Sequence, residues 1–357
     1  MKSVAFFILI STMFFSCKEE ENDSTYNCES VALNSKFSYI DLIESVPAEV
    51  LSGFLQQPDE QGALGRNKNG YEHARFQLAM THLANYTVAF EDEEALVALV
   101  NSIDYAFTYQ AEDGDFEFVA PPEAPTDRQP KPEDLASGTF FFSYGLGISL
   151  HALNNSVWYQ SLANDHSAKQ SIAGFQSNIE SLLTYLKSDM ALIQEYDKAS
   201  PNRLFFDALA FYTLGEYLND SEAQEIGTGM AGHAISLKEE TAGYFIEARG
   251  WDSSYNGVSI KLGLEMFTIL GSESTLKTTL MEGLSCATDW QTSRVLESGE
   301  ISTEGNTRVY PGGESLGGME KKVDVEKTAY AFYYMAALTN DESYGELSQQ
   351  ILAFYAP

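Results

Sequence analysis

The sequence predicts an all-α protein built from repeated pairs of helices. Apolar runs with helical periodicity alternate with short polar breaks, and the period-two alternation of β-strands is scarce. Five pairs can be traced, and their first members recur every 53 to 68 residues, the size of a helical hairpin with its connecting loop. A chain of 357 residues with 44% hydrophobic and 13% aromatic content can enclose a large core.

Residues 1–16 have the features of a signal peptide. Lys2 precedes an apolar run from Val4 to Phe15, which is too short to span a bilayer but is typical of a signal-peptide core. Phe14-Phe15-Ser16-Cys17 resembles the lipobox of bacterial lipoproteins, although that pattern prefers Leu where Phe14 stands. The following Lys18-Glu19-Glu20-Glu21 resembles the acidic tag of surface-exported lipoproteins in glycan-degrading Gram-negative bacteria. The resemblance implies a lipid on Cys17 and an outer-membrane location, at the cell surface or the periplasmic face; an ordinary cleaved secretory signal is the alternative.

Residues 17–35 form a polar segment rich in Glu, Asn, Asp and Ser, which predicts a tether. Residues 36–357 then make up a single domain. The three cysteines are too few for a disulfide scaffold. Because Cys28 lies in the predicted tether, we expect it to form no structural disulfide with Cys286.

The helices can be placed in order along the domain. One helix spans Phe37 to Gln56 and precedes the pairs. The first helices of the five pairs begin near Tyr71, Thr139, Asn202, Tyr255 and Val323. Their partners begin near Asp92, His166, Ser221, Glu273 and Glu342. Residues 204–212 and 330–338, in two first helices, are apolar almost all round, whereas a partner such as 178–187 carries a polar stripe; this contrast predicts an inner and an outer layer.

Two layers of helical hairpins resemble the α/α toroid, the six-hairpin fold of many polysaccharide lyases and glycoside hydrolases. The resemblance covers residues 37–356 and is one of pattern. Two stretches interrupt it. Residues 111–137 hold five of the ten prolines and predict a surface excursion or a lid. In residues 293–318, apolar segments on both sides of Gly299 and Gly305 predict a small inserted β-hairpin at 293–310.

The charge of the chain restricts its partners. With 21 Lys and Arg against 52 Asp and Glu, the formal net charge is −31, which argues against nucleic acid and against direct binding to an anionic membrane. Apart from the lipid anchor, we expect no membrane contact. No phosphate-binding loop, His-Glu-x-x-His motif or metal-spaced cysteine pair occurs in the sequence, so we expect no cofactor and no metal. We expect a monomer.

A local basic site is nevertheless predicted. Four of the seven arginines lie in segments that precede first helices, which in a toroid open at one end: Arg66, Arg203, Arg249 and Arg308. Helix N-termini and arginines both favour anionic groups. At these openings the candidate catalytic residues are His73, Asn202, Arg203 and Tyr255. The candidate substrate-binding residues are Arg66, Tyr144, His151, Glu247, Arg249, Trp251, Asp252, Arg308 and Tyr310.

Each candidate also has a structural explanation. Ser200-Pro201 is a good helix start, so Asn202 and Arg203 fit first-turn surface positions equally well. Asp252 fits a helix cap. Trp251, between Gly250 and a polar turn, is the better candidate for stacking on a sugar. His151 shares a helical face with Tyr144, and that face could line a cavity.

Three functions follow from these residues. The resemblance to toroidal lyases implies cleavage of a uronate-containing polysaccharide or oligosaccharide by β-elimination, with Asn202 and Arg203 neutralising the carboxylate, His73 or Tyr255 as base and Tyr255 as acid. A toroidal hydrolase would instead use two carboxylates chosen from Glu247, Asp252 and Glu314. A non-catalytic glycan-binding lipoprotein would use the same arginines and aromatic rings. The gathering of Arg, Asn, Tyr and His favours the lyase.

Overall fold

A computed structural model describes Cys28 and residues 31–121, 130–272, 274–316 and 319–356. The described chain is mostly helical, which confirms the all-α class. Its first seven α-helices are α1 (Tyr39–Ser45), α2 (Ala48–Phe54), α3 (Met80–Phe90), α4 (Glu93–Phe107), α5 (Pro132–Asn155), α6 (Val157–Ser161) and α7 (Ser167–Gly174). The other seven are α8 (Gln176–Asp197), α9 (Pro201–Leu218), α10 (Ser221–Ser236), α11 (Ser253–Ile269), α12 (Leu276–Thr292), α13 (Val325–Thr339) and α14 (Glu342–Tyr355).

Three hairpins use the same two-residue connection. α3, α9 and α13 each end at a residue in the left-handed conformation, and an Asp that caps the next helix follows at once. The left-handed residues are Glu91, Asn219 and Asn340. Asp92, Asp220 and Asp341 accept hydrogen bonds from the backbone of α4, α10 and α14. The short connection turns the chain back on itself, so the two helices of each hairpin pack together.

Six helices contact one another in a cycle. α3 packs on α5, α5 on α9, α9 on α11, and α11 on α13; α1 then contacts both α13 and α3. All residues of α11 are buried, whereas α14, which packs on α13, buries only Ser348 and Ile351. The difference in burial between first and second helices therefore agrees with the predicted contrast in sequence.

Two glycines allow helices of the cycle to approach closely. A Cβ on Gly147 of α5 would lie 2.0 Å from Thr213 Oγ1 of α9, and one on Gly257 of α11 would lie 2.2 Å from Thr328 Oγ1 of α13. Both distances are far below van der Waals contact, so a larger residue would force these helices apart.

Several predicted boundaries are wrong. The region near Tyr71 forms 3-10 turns, and α3 begins only at Met80. α5 begins at Pro132, before the predicted start at Thr139, because a proline suits the first turn of a helix. The single helix predicted over Phe37–Gln56 is broken by Pro47 into α1 and α2. Residues 122–129 of the proline-rich stretch, and Glu273, lie outside the described residues.

The predicted β-hairpin at 293–310 is reduced to one bridge, between Val295 and Ile301. The Ile301 side chain packs on Phe332 and Ile351, and its N–H donates to the Tyr355 hydroxyl rather than to a ladder. The only two-stranded sheet in the described ranges is antiparallel and lies later, with β1 (Ser315–Leu316) paired to β2 (Met319–Glu320).

The expectation of no disulfide is also wrong. Cys28 is bonded to Cys286 of α12, with their Cα atoms 5.4 Å apart. Val31 N–H then donates to Ser285 Oγ at 2.7 Å, and Leu33 is buried. The end of the predicted tether is therefore packed along α12 and belongs to the domain. Cys17 and the signal segment lie outside the described residues.

Candidate functional site

The starts of α11 and α13 are joined at one end of the helices. Asp252 caps α11, and Asp324 caps α13. Ser254 Oγ accepts a hydrogen bond from Asp324 N–H at 2.9 Å, which ties the two starts together. Six side chains gather here and are called the rim cluster: Arg203, Glu247, Tyr255, Arg308, Glu314 and Lys321.

Tyr255 lies at the centre of the rim cluster. Its hydroxyl donates to Glu314 Oε2 at 2.8 Å and accepts a hydrogen bond from Lys321 Nζ. The Arg308 guanidinium stacks over the ring at 4.5 Å from the centroid. Burial raises the pKa of Tyr255, so its phenol is protonated at neutral pH. A protonated phenol between a carboxylate and an ammonium group is placed for proton transfer.

Arg308 bridges two carboxylates whose pKa values are displaced in opposite directions. One terminal nitrogen bonds to Glu247 Oε1, and the other lies 2.9 Å from Glu314 Oε1. Burial raises the pKa of Glu247, whose Oε2 has no hydrogen-bond partner among the described residues. Burial also opposes ionisation of Glu314, but the hydrogen bond from Tyr255 and the charges of Lys321 and Arg308 outweigh it and lower the pKa. The two carboxylates therefore differ in their tendency to hold a proton.

A strained turn positions Glu247. Glu247 and Gly250 exchange both backbone hydrogen bonds, and the two residues between them, Ala248 and Arg249, have φ of 49° and 73°. Neither is a glycine, so this turn costs of order 1–3 kcal/mol per residue. It directs Glu247 inward to Arg308 and leaves Arg249, a predicted binding residue, exposed at the tip.

Asp252, by contrast, is a structural residue. Oδ1 accepts from the N–H groups of Ser254 and Tyr255, and Oδ2 accepts from those of Arg308 and Val309. Four backbone donors occupy this fully buried carboxylate, which fixes the segment of Arg308 to the start of α11. These contacts fit the helix-cap explanation of Asp252, and its role in binding or hydrolysis stays a prediction.

Arg203 is engaged with an internal carboxylate. Its guanidinium lies 2.9 Å from Asp197 Oδ1, and burial followed by the charge of Asp197 raises the pKa of nearby Asp207 well above its ordinary range. Asn202 is buried, and its Oδ1 has no hydrogen-bond partner within the described ranges. The two neighbours predicted to act together thus differ, since Arg203 has a partner and the Asn202 oxygen has none.

His73 does not open an inner helix as predicted. It caps a 3-10 turn, where its Nδ1 accepts from Arg75 N–H at 3.2 Å, and it is 2% exposed. Its ring packs against α5 at Gly138, where a Cβ would come within 2.8 Å of the imidazole. Burial, followed by the charge of Arg75, lowers the pKa of His73 to about 4. His73 is therefore a buried neutral residue, and it has no open face for a substrate.

The lowered pKa of His73 predicts a pH dependence of stability. Unfolded His73 gains a proton near pH 6.5, whereas the folded residue resists protonation down to about pH 4. The free energy of unfolding therefore has the full contribution of neutral His73 above pH 6.5. It falls by about 3 kcal/mol as the pH is lowered toward 4, because the unfolded state then binds a proton that the folded state does not. Urea unfolding from pH 7 to 4 should show this loss in the wild type and not in His73→Asn, which keeps an acceptor near Nδ1. Equal pH slopes would contradict the assignment.

The arginine that the site prediction missed is Arg75. Its guanidinium stacks over Phe141 at 5.2 Å and over Phe76 at 5.6 Å. Among the described residues no carboxylate forms an ion pair with it, although Arg203 and Arg66 are near enough to lower its pKa after burial has done so. Its position next to His73 was the available signal. Arg75 thus forms no ion pair in the described part of this strongly acidic chain, although Glu72 and Asp134 lie near enough to oppose the lowering of its pKa.

Of the other predicted substrate-binding residues, some lie beside the rim cluster and some lie away from it. Trp251 and Tyr310 are exposed beside the rim cluster. Arg66 is paired with Glu72 at 2.6 Å near the start of the 3-10 turns. His151 contacts Glu216 near the end of α5, away from the helix starts, because it lies just over five turns along α5 from Pro132. His151 therefore lies outside the rim cluster and lines a separate cavity with Asn155 and Glu216.

Tyr144 lies in a buried polar group rather than at the rim. Its hydroxyl donates to Glu265 Oε2 at 2.8 Å and accepts from Lys261 Nζ at 2.8 Å. Lys261 and Glu265 form an ion pair at 2.7 Å, and Glu265 is fully buried. The signal in the sequence was a charged pair four residues apart in an apolar helix. Tyr144 therefore has an internal contact in place of the predicted contact with substrate.

No group of His, Cys, Asp and Glu within the described ranges is arranged to hold a metal ion. Among the described helices, none has both the length and the apolar character needed to cross a membrane. No protein-family model matches the chain, and no curated protein matches it either.

Proposed function

We propose that the six helices that contact one another in a cycle are the inner layer of an α/α toroid. The cycle of contacts from α3 through α13 back to α1 supports this arrangement. The outer layer would consist of α2, α4, α8, α10, α12 and α14. Five of these directly follow an inner helix, and α8 follows α5 after the short helices α6 and α7. In this arrangement the rim cluster lies at the end where α9, α11 and α13 begin.

The protein is proposed to be a polysaccharide lyase that acts on a uronate-containing glycan. The observation that carries the proposal is the Tyr255 hydroxyl, held between the Glu314 carboxylate and the Lys321 ammonium group beside Arg308. β-Elimination needs a base near C5 of the uronate and an acid near the leaving oxygen. Burial lowers the pKa of Lys321, which makes its ammonium group a better acid than an ordinary lysine.

Arg75 and Asn202 are assigned the role of binding and neutralising the carboxylate of the uronate substrate. β-Elimination is slow unless the negative charge of the uronate is neutralised, because charge develops beside the carboxylate in the transition state. Arg203 is engaged with Asp197, and Arg308 already bridges two carboxylates. Arg75 has no ion-pair partner in the described part of the chain, and the Asn202 amide makes no side-chain hydrogen bond there.

The proposed elimination moves protons through the rim cluster. The Tyr255 oxygen takes the C5 proton as its own proton passes to Glu314. The C5–H electrons form the C4–C5 double bond, and the C4–O bond breaks. The Lys321 ammonium group protonates the leaving oxygen. Proton exchange with water then restores Lys321 and Glu314.

Location is part of the same proposal. A lipid on Cys17 would hold the domain at the outer membrane, at the cell surface or periplasmic face. The Cys28–Cys286 disulfide supports an oxidising compartment, where such bonds persist.

The experiment that tests the function is a screen of the domain from residue 18 onward against uronate-containing polysaccharides. A lyase produces a 4,5-unsaturated uronate, which absorbs in the ultraviolet, whereas a hydrolase produces new reducing ends without that absorbance. Binding with neither product would identify a non-catalytic glycan-binding protein. Cleavage without the absorbing product would contradict the lyase.

Replacing Arg75 should selectively weaken binding of the acidic glycan. We expect Arg75→Ala to raise KM for the uronate polymer about tenfold or more, because charge-assisted contacts contribute about 1.5–3 kcal/mol. Lys187→Ala, which removes a cation paired with Asp220 past the end of α9 and away from the rim cluster, is the control for net charge. Initial rates on one polymer measure both. An equal change in KM for the two variants would show that total charge, and no specific contact of Arg75, is responsible.

A glycoside hydrolase is the second candidate function, because the rim cluster contains a pair of carboxylates. Arg308 holds Glu247 and Glu314 together, and their pKa values are displaced in opposite directions. Such a pair suits a general acid, Glu247, and an ionised partner, Glu314. Glu247→Gln would then abolish cleavage, whereas the lyase mechanism gives Glu247 only a positioning role.

A further inference from the structure

A cluster of aromatic rings and one arginine lies beside the rim cluster. Tyr244 contacts Trp251 and Trp290, with ring centroids 5.8 Å and 5.2 Å apart. Arg294 lies over the Trp290 ring at 5.7 Å. The Trp251 Nε1–H group and the Arg294 guanidinium both donate to the carbonyl of Glu304, which closes the group. These four side chains, Tyr244, Trp251, Trp290 and Arg294, are called the Trp251–Trp290 face.

The composition of this face is unusual for the chain. The sequence has only three tryptophans, and two of them lie here. Trp251 is 36% exposed, and the other three side chains are partly exposed. Arg294 forms no ion pair within the described ranges, although acidic residues outnumber basic ones more than twofold. Its Nε is buried without a hydrogen-bond partner there.

The face is continuous with the rim cluster through one short segment. Thr307 N–H donates to the Trp251 carbonyl at 3.0 Å, and Thr307 Oγ1 donates to the Glu247 carbonyl at 2.8 Å. The next residue, Arg308, contacts Tyr255. The backbone of Trp251 is therefore joined directly to the segment that brings Arg308 to Tyr255.

We propose that the Trp251–Trp290 face is an additional binding subsite for an acidic glycan chain that extends out of the rim cluster. This inference rests on the proposed function of the rim cluster. Aromatic rings bind the C–H faces of sugars, and a guanidinium that forms no ion pair within the described ranges can bind a carboxylate or sulfate. A site that continues past the reacting bond binds an internal part of a polymer, so the protein acts on long chains and cleaves them internally.

The test compares a long uronate polymer with a tetrasaccharide of the same composition. Trp290→Ala and Arg294→Ala remove the part of the face that is farthest from Tyr255. Each should raise Kd for the polymer about tenfold, as expected for a contact of roughly 1.4 kcal/mol. The ratio of polymer to tetrasaccharide Kd should rise by the same factor. Phe354→Ala, which removes an exposed aromatic ring from α14, is the matched control.

The outcomes separate the two proposals. If the wild type cleaves the polymer but the ratio is unchanged in Trp290→Ala and Arg294→Ala, the subsite is overturned and the lyase stands. If nothing is cleaved but the polymer binds and both variants bind it less tightly, the enzyme is overturned and the subsite stands. If no acidic polysaccharide binds, both are overturned. Thermal unfolding of each variant confirms that the domain is folded.

Discussion

Tyr255→Phe is expected to lower kcat on a uronate polymer about 10²–10⁴-fold, the usual effect of removing a positioned acid or base. The ring and its contact with Arg308 remain, and only the hydroxyl between Glu314 and Lys321 is lost. Because the change removes the group that exchanges protons and keeps the packing, KM should change little. Initial rates followed by the absorbance of the unsaturated product measure both constants.

Stability controls the interpretation of this variant. Glu314 and Lys321 remain 3.7 Å apart and keep each other as partners, so the free energy of unfolding should fall by only about 0.5–1.5 kcal/mol. Tyr86→Phe, which removes a hydroxyl from α3, serves as the comparison. Undiminished turnover in a folded Tyr255→Phe protein would overturn the assigned chemistry, and Glu247 would become the residue to test as a hydrolase acid.

Removing the disulfide is expected to cause the largest loss of stability. The bond joins residues 258 positions apart, and chain-entropy arguments give on the order of 5 kcal/mol for a loop of that length. Cys286→Ser should therefore lower the free energy of unfolding of the oxidised domain by roughly 2–5 kcal/mol, the range found for native disulfides. Equilibrium unfolding in urea, with and without a reductant, measures it.

A comparison of single and double variants identifies the cause. Cys28→Ser should match Cys286→Ser, and the double variant should lose no more than either, because all three lack the same bond. Reductant should destabilise the wild type and leave the variants unchanged. Losses that add in the double variant would show that packing of the two cysteines, and not their bond, provides the stability.

Helix content and the alternation of buried and partly polar helices were predictable because period and composition are local. The starts of α9, α10, α11 and α14 fall within two residues of their predicted positions, since Pro201, Asp220, Asp252 and Asp341 mark them in the sequence. The 3-10 turns before Met80 were not predictable in the same way. There, Asn67 and Gln77 replace helical hydrogen bonds with side-chain bonds to His73 and Gly62 carbonyls, and these contacts depend on tertiary structure.

The candidate site was predictable where its residues lie next to helix starts, which have local signals in the sequence. Tyr255, Arg308 and Glu247 lie together, as expected from their positions next to helix starts. Lys321 was missed because it enters through the β1–β2 segment, which has no periodic signal. The Cys28–Cys286 pair was missed because composition alone made residues 17–35 look like a free tether, and pairing across most of the chain leaves no local pattern.

The contacts of α1 with both α13 and α3 determine how late the fold can be completed. α1 is synthesised before the other helices, but its partner α13 lies almost 290 residues later in the sequence and is synthesised near the end. Hairpins such as α9–α10 need only neighbouring residues and can form early. Closing the longest loop comes at a higher entropic cost, so we expect α1 to dock last. Until then the chain has hairpins but no closed cycle, and the surfaces of α3 and α13 that α1 will cover remain available to chaperones and proteases.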